Sequence, residues 1–154
     1  MSSVENYIPY APNAQGLTEA LIDLKSTMPS QTVFKVTGYE TTCFENVNQG
    51  DALYSRASDG HVGKAIANDT FDKACVAGIA ETTKTAGQSV KVIVAGIVAT
   101  SGLNTGDQYF LSAASAGAIV ETPPSSTGQY VTRIGEAGST GQFIVNAERP
   151  ILLS

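Results

Sequence analysis

Short runs of alternating or β-branched apolar residues, cut at close intervals by Gly, Asn and Asp, restrict this chain more than any other feature. From Thr32 the period is two, with Thr32, Phe34 and Val36 opposed to Val33 and Lys35, and Gly38 is expected to end the run. Similar runs occupy 42–44, 52–55, 61–67, 73–80, 89–100, 108–112, 118–122, 130–137 and 142–146. Between them stand turn signals: Asn48-Gln49-Gly50-Asp51, Ser58-Asp59-Gly60, Ala86-Gly87-Gln88, Asn104-Thr105-Gly106-Asp107 and Ser139-Thr140-Gly141. This spacing predicts an all-β fold, a compact barrel or sandwich of short antiparallel strands from two similar halves. The stretch from Val90 to Val98 is the most hydrophobic and should be a central strand, with Gly96 marking a bulge or bend. Pro123-Pro124 cannot donate to a ladder and belongs in a connection or on an edge.

Residues 1–30 read differently. Tyr7, Ile8, Pro9, Tyr10 and Pro12 combine aromatics that resist exposure with prolines that prevent a regular helix, which predicts an extended N-terminal arm needing a surface. That surface is either the protein's own core or a neighbouring subunit. Leu17, Leu21, Leu24 and Met28 then recur at helical spacing, and one short amphipathic helix is expected before Pro29. The expected organisation is arm and helix over 1–30, and a β domain over 31–154.

Within the β domain, two segments share an order of elements. Gly50-Asp51-Ala52-Leu53-Tyr54-Ser55 resembles Gly106-Asp107-Gln108-Tyr109-Phe110-Leu111-Ser112. Gly78-Ile79-Ala80 answers to Gly135-Glu136-Ala137, and a Gly-Gln turn before an apolar strand follows in both, at Gly87-Gln88 and Gly141-Gln142. The offset is 56 or 57 residues at the first two landmarks and 54 at the third. A pseudo-repeat over about 48–98 and 104–153 follows, in which Asp51 and Asp107 cap their own turns and Gly supplies the positive φ. The competing reading makes the two aspartates a carboxylate pair or cation site.

Candidates for chemistry are few. His61 is the only histidine and follows Asp59-Gly60, where a solvated turn residue is the default. No nucleophile elbow, phosphate loop or His-Glu-X-X-His occurs. Glu121, Glu136 and Glu148 offer a carboxylate dyad only in principle. No enzyme activity, cofactor or metal is expected. Cys43 and Cys75 have no partner in ligand spacing and read as buried small hydrophobes. Nine Lys plus Arg against fourteen Asp plus Glu leave a net charge of −5, which lacks the basic footprint that offsets phosphate, so nucleic acid is not expected as a partner. The opening Met1-Ser2-Ser3-Val4-Glu5-Asn6 has an acid where a signal peptide carries Lys or Arg, and no run approaches the roughly 18 apolar residues of a spanning helix. Neither export nor a membrane is expected.

The second half, roughly 75–153, resembles a module found in structural proteins of tailed bacteriophages, above all capsid decoration (cement) proteins and head-fibre or tail-fibre segments. The matching residues run from Val94-Ala95-Gly96-Ile97-Val98 through Leu103-Asn104-Thr105-Gly106-Asp107-Gln108-Tyr109-Phe110-Leu111-Ser112 and Ala116-Gly117-Ala118-Ile119. They continue with Thr122-Pro123-Pro124, Gly128-Gln129-Tyr130-Val131-Thr132-Arg133-Ile134-Gly135-Glu136-Ala137 and Ile144-Val145. The resemblance implies a virion structural protein on the capsid exterior, made in the host cytoplasm, that binds major capsid protein subunits. It also implies a homo-oligomer, with a trimer favoured. The arm and helix would then supply the contacts, with Tyr7, Ile8, Pro9, Tyr10, Pro12, Leu17 and Leu21 as the partner-binding residues. The alternatives are a head- or tail-fibre adaptor for host-receptor attachment, and a glycan module. With no Trp, and most of its six Tyr and five Phe in strand-like runs, the chain offers few stacking rings to sugars.

Overall fold

A computed structural model describes residues 36–154. The fold is all-β, an antiparallel sheet curled into a half-barrel, with one short helix in the described part. Strands β1 (Thr37–Thr42), β2 (Ala52–Ser55) and β3 (Val62–Lys64) are followed by helix α1 (Phe71–Ala74). Then come β4 (Val76–Ala80), β5 (Ser89–Ala99), β6 (Gln108–Leu111), β7 (Ile119–Val120), β8 (Tyr130–Val131), β9 (Arg133–Ala137), β10 (Gln142–Asn146) and β11 (Ile151–Leu152). The large sheet runs β3-β2-β4-β5-β10-β9-β6-β7 with β1 also on β5, while β8 and β11 form a separate ribbon.

Strand β5 joins the two halves. Ile93 pairs with Gly38 and with Ile79, and Ala95 pairs with Thr37 and with Asn146, so β4 and β10 lie end to end along one edge of β5 and β1 lies along the other. The change of partner falls beside Gly96, whose φ of 113° is the bend expected there. Because consecutive strand residues point to opposite faces, both faces of the first half are buried. Ala52, Tyr54, Ile79 and Ile93 enter one core cluster with Tyr109, Leu111, Ile134, Phe143 and Val145, whereas Leu53, Ala80, Val90 and Val92 enter a second with Cys43, Val47 and Val62.

The same hydrogen bonds recur at the offsets read from the sequence. Gly50 and Gly106 both have φ 90°; their N–H groups donate to Ala80 O (2.9 Å) and Ala137 O (2.8 Å), and the returning bonds run from Ala80 N to Asp51 O and from Ala137 N to Asp107 O. Strand β2 meets β4 at Ala52↔Ile79, Leu53↔Gly78 and Tyr54↔Val76, while β6 meets β9 at Gln108↔Glu136, Tyr109↔Gly135 and Phe110↔Arg133. Each pairing slips register at the same step. The third landmark does not follow. Ala80 pairs with Val92 but Ala137 with Phe143, an offset of 51 residues instead of 54, because the first hairpin is the longer. The two Gly-Gln turns therefore stand at different distances from their ladders.

Several local expectations are corrected. Gly38 lies inside β1 instead of ending a strand, since a Cβ there would collide with the Val92 carbonyl of the adjacent β5. The run 73–80 is a strand only from Val76; before it, Thr70 caps α1 by accepting from the Lys73 N–H (3.3 Å), and Asp69 pairs with Lys73. The run 130–137 breaks at Thr132, which is fully buried and whose Oγ1 donates to Ala74 O (2.9 Å), tying helix to sheet. The runs 61–67 and 118–122 shorten to β3 and β7, and β11 answers to no expected run. Cys43 is buried and free as expected, with its Sγ directed at Thr85 O and Gln88 O, but Cys75 is only half-buried because it closes α1 near the surface. Pro123-Pro124 lies in the connection from β7 to β8.

Candidate interaction surfaces

The carboxylates of the described residues are distributed among turns and edges. Asp51 Oδ2 accepts from Asn48 N–H (2.8 Å), so this aspartate caps its turn as expected. Burial raises its pKa, opposed by the Asn48 hydrogen bond and by Lys64. Asp107 does not cap its turn. The equivalent N–H, of Asn104, donates to the Tyr109 hydroxyl (2.8 Å), which takes the place a second capping carboxylate would fill, and Asp107 is left exposed. Asp51→Ala should therefore cost about 1 kcal/mol in urea denaturation. Asp107→Ala should change stability by less than about 0.5 kcal/mol. Equal losses would contradict the asymmetry.

His61 sits in the turn anticipated for it, half-exposed, with its N–H on Asp59 Oδ1 (3.0 Å) and Nδ1 3.3 Å from Asp59 Oδ2. The Arg56 guanidinium, then the His61 N–H, hold the Asp59 carboxyl down at about 2. A depressed carboxyl pKa adds stability that is present above the ordinary carboxylate range and lost as pH falls through the folded value. Proton titration of Asp59 by NMR should give a midpoint near 2, with the turn at Arg56–His61 loosening below it. A midpoint near 4 would contradict the pairing.

Glu121, Glu136 and Glu148 do not share one set of contacts. Glu148 pairs with Arg133 (3.2 Å), while Glu121 Oε2 accepts from the Tyr109 hydroxyl (2.9 Å) and from Asn104 Nδ2. Burial raises the pKa of Tyr109 first of all. No group of three or more His, Cys, Asp or Glu among the described residues could hold a metal ion.

The concavities are shallow. One of them, about 600 Å³, has Leu103, Ala113, Ile119, Val120 and Pro124 as apolar lining and Glu121 as its charged group. Large apolar side chains also stand in solvent: Val36 just before β1, Tyr39 on β1, Val94 on β5, and Ile151 (64% exposed) and Leu152 (55%) on β11. Val36 and Val94 were missed in the sequence because each sits in a run whose period reads as ordinary strand, whereas Tyr39, Ile151 and Leu152 fall outside every expected run. The seven expected partner-binding residues, Tyr7, Ile8, Pro9, Tyr10, Pro12, Leu17 and Leu21, lie outside the described residues.

Fold and surfaces together define a β module with apolar side chains at its margins. No family model matches the chain, and no curated protein matches it significantly.

Proposed function

We propose that this chain is a virion structural protein that decorates a bacteriophage capsid and stabilises it by binding major capsid protein subunits. The observation that carries this reading is the placement of exposed apolar side chains at the sheet margins. Tyr39 lies on the edge strand β1 with Val36 just before it, and Ile151 and Leu152 lie on the ribbon. Apolar groups left in water at strand edges suit broad contact with flat neighbours. The low charge and many small side chains support the same reading, since such surfaces lose little side-chain entropy when covered. The resemblance to phage decoration modules supplies the kind of neighbour, and a homotrimer on the capsid exterior fits it.

Purified protein mixed with shells lacking it should co-sediment with them, and deletion of residues 1–13 should weaken binding if the arm is a strap. Failure of the full chain to bind shells overturns the proposal. Binding to host cells instead of shells would favour the fibre reading.

A further inference from the structure

The turn between β2 and β3 carries the chain's single Asp-Gly step, Asp59-Gly60, and no Asn-Gly step occurs. Such a step is prone to cyclise, because glycine has no side chain to keep its nitrogen from the aspartate carboxyl. The Gly60 nitrogen attacks Asp59 Cγ, the N–Cγ bond forms, and the carboxyl hydroxyl leaves with the N–H proton as water. Water then opens the imide ring at the Asp59 main-chain carbonyl and leaves isoaspartate, with the chain running through Cγ. The two steps together are an isomerisation and need no oxidant or further reactant.

Burial does not protect this turn. Asp59 and Gly60 are exposed, and a Cβ at Gly60 would meet nothing within 4 Å among the described residues. Protection has to come from polar contacts, and those present oppose the reaction at both ends. At the electrophile, Arg56 Nε donates to Asp59 Oδ1 (3.1 Å), Arg56 Nη2 to Oδ2, and the His61 N–H to Oδ1 (3.0 Å). With its pKa held down at about 2, the Asp59 group is carboxylate at neutral pH, and an oxide leaves far less readily than a hydroxyl. At the nucleophile, the Gly60 N–H is engaged by Arg56 O (2.8 Å). The guanidinium is itself seated: it lies over the Phe44 ring, 4.1 Å from the centroid, and Phe44 packs edge-on against Tyr54.

We infer that Asp59-Gly60 is the chain's isoaspartate site and that Arg56, seated on Phe44, keeps it closed. Arg56 is a positioning residue here: it acts through the Asp59 carboxyl and takes no part in the bonds that form and break. Isomerisation would add a methylene to the backbone of the turn and move the carboxyl off the guanidinium fork, so the step removes the contact that prevents it. The inference concerns the chain alone. It does not rest on the shell reading, and either can fail without the other.

The test is to age the full chain at neutral pH and follow isoaspartate at residue 59 by chromatography of its proteolytic peptide and by enzymatic methyl labelling. The same chain unfolded in urea supplies the unprotected rate. Folded wild type should isomerise at least about tenfold more slowly than in urea, since each unit of pKa depression removes nine-tenths of the neutral carboxyl. Arg56→Ala should isomerise several-fold faster than wild type, while Asp107, exposed and with no guanidinium beside it, keeps its rate. Arg56→Lys, which retains the charge but not the fork, should fall between, and Phe44→Leu should raise the rate less than Arg56→Ala. A folded chain that isomerises at Asp59 as fast as in urea, Arg56 variants that match wild type, or an increase shared equally by Asp107 would overturn the assignment.

Discussion

Gly135→Ala should destabilise the protein by about 3 kcal/mol, measured as a fall in the urea midpoint. Gly135 pairs with Tyr109 on one side and Val145 on the other, in the middle of the second copy's sheet. A Cβ there would overlap the Ile144 carbonyl oxygen and approach Phe143 Cζ to 3.1 Å. The oxygen is backbone, fixed by the pairing of β9 with β10, so relief requires the strands to separate. Gly78 meets the Ile93 carbonyl in the same way, and Gly78→Ala should behave alike. Gly138 is the control. A Cβ there finds only ordinary contacts with Ile144 and Gln142, and Gly138→Ala should stay within about 0.5 kcal/mol. Equal, small effects at all three sites would show that the close approach is not a constraint.

Phe143→Ala should cost about 3 to 5 kcal/mol. Phe143 is fully buried on β10 and packs edge-on against Tyr109, with ring centroids 5.9 Å apart. Its removal leaves a void among residues held by strand pairing, which close the space only in part. Tyr109 also orients Asn104 and Glu121 through its hydroxyl, so the variant should disturb amide shifts at 104 and 121 as well as lower the denaturation midpoint. Phe71→Ala, at a site 38% exposed on α1, should cost much less. A loss at Phe143 no greater than at Phe71 would contradict the packing described.

The all-β character was legible because strand length and turn chemistry are local. Asn-X-Gly-Asp turns and β-branched runs need no knowledge of what packs on them, and β2 and β10 fall where the pattern puts them. Gly96 was legible as a bend for the same reason. The glycines that permit close approach were not: Gly38 looks like a breaker in one dimension, and only the neighbouring Val92 carbonyl gives it a place inside a strand. The helical turn at α1 hides within an apolar run, its one signal being Thr70 at the cap.

The shell reading meets its most direct test in the heat resistance of capsids. Shells assembled without this protein should rupture at a lower temperature than the same shells saturated with it, as followed by light scattering with bound protein quantified in parallel. An upward shift that grows with occupancy and levels off at saturation is the result expected. Saturated shells that rupture at the same temperature as bare ones would contradict a stabilising role.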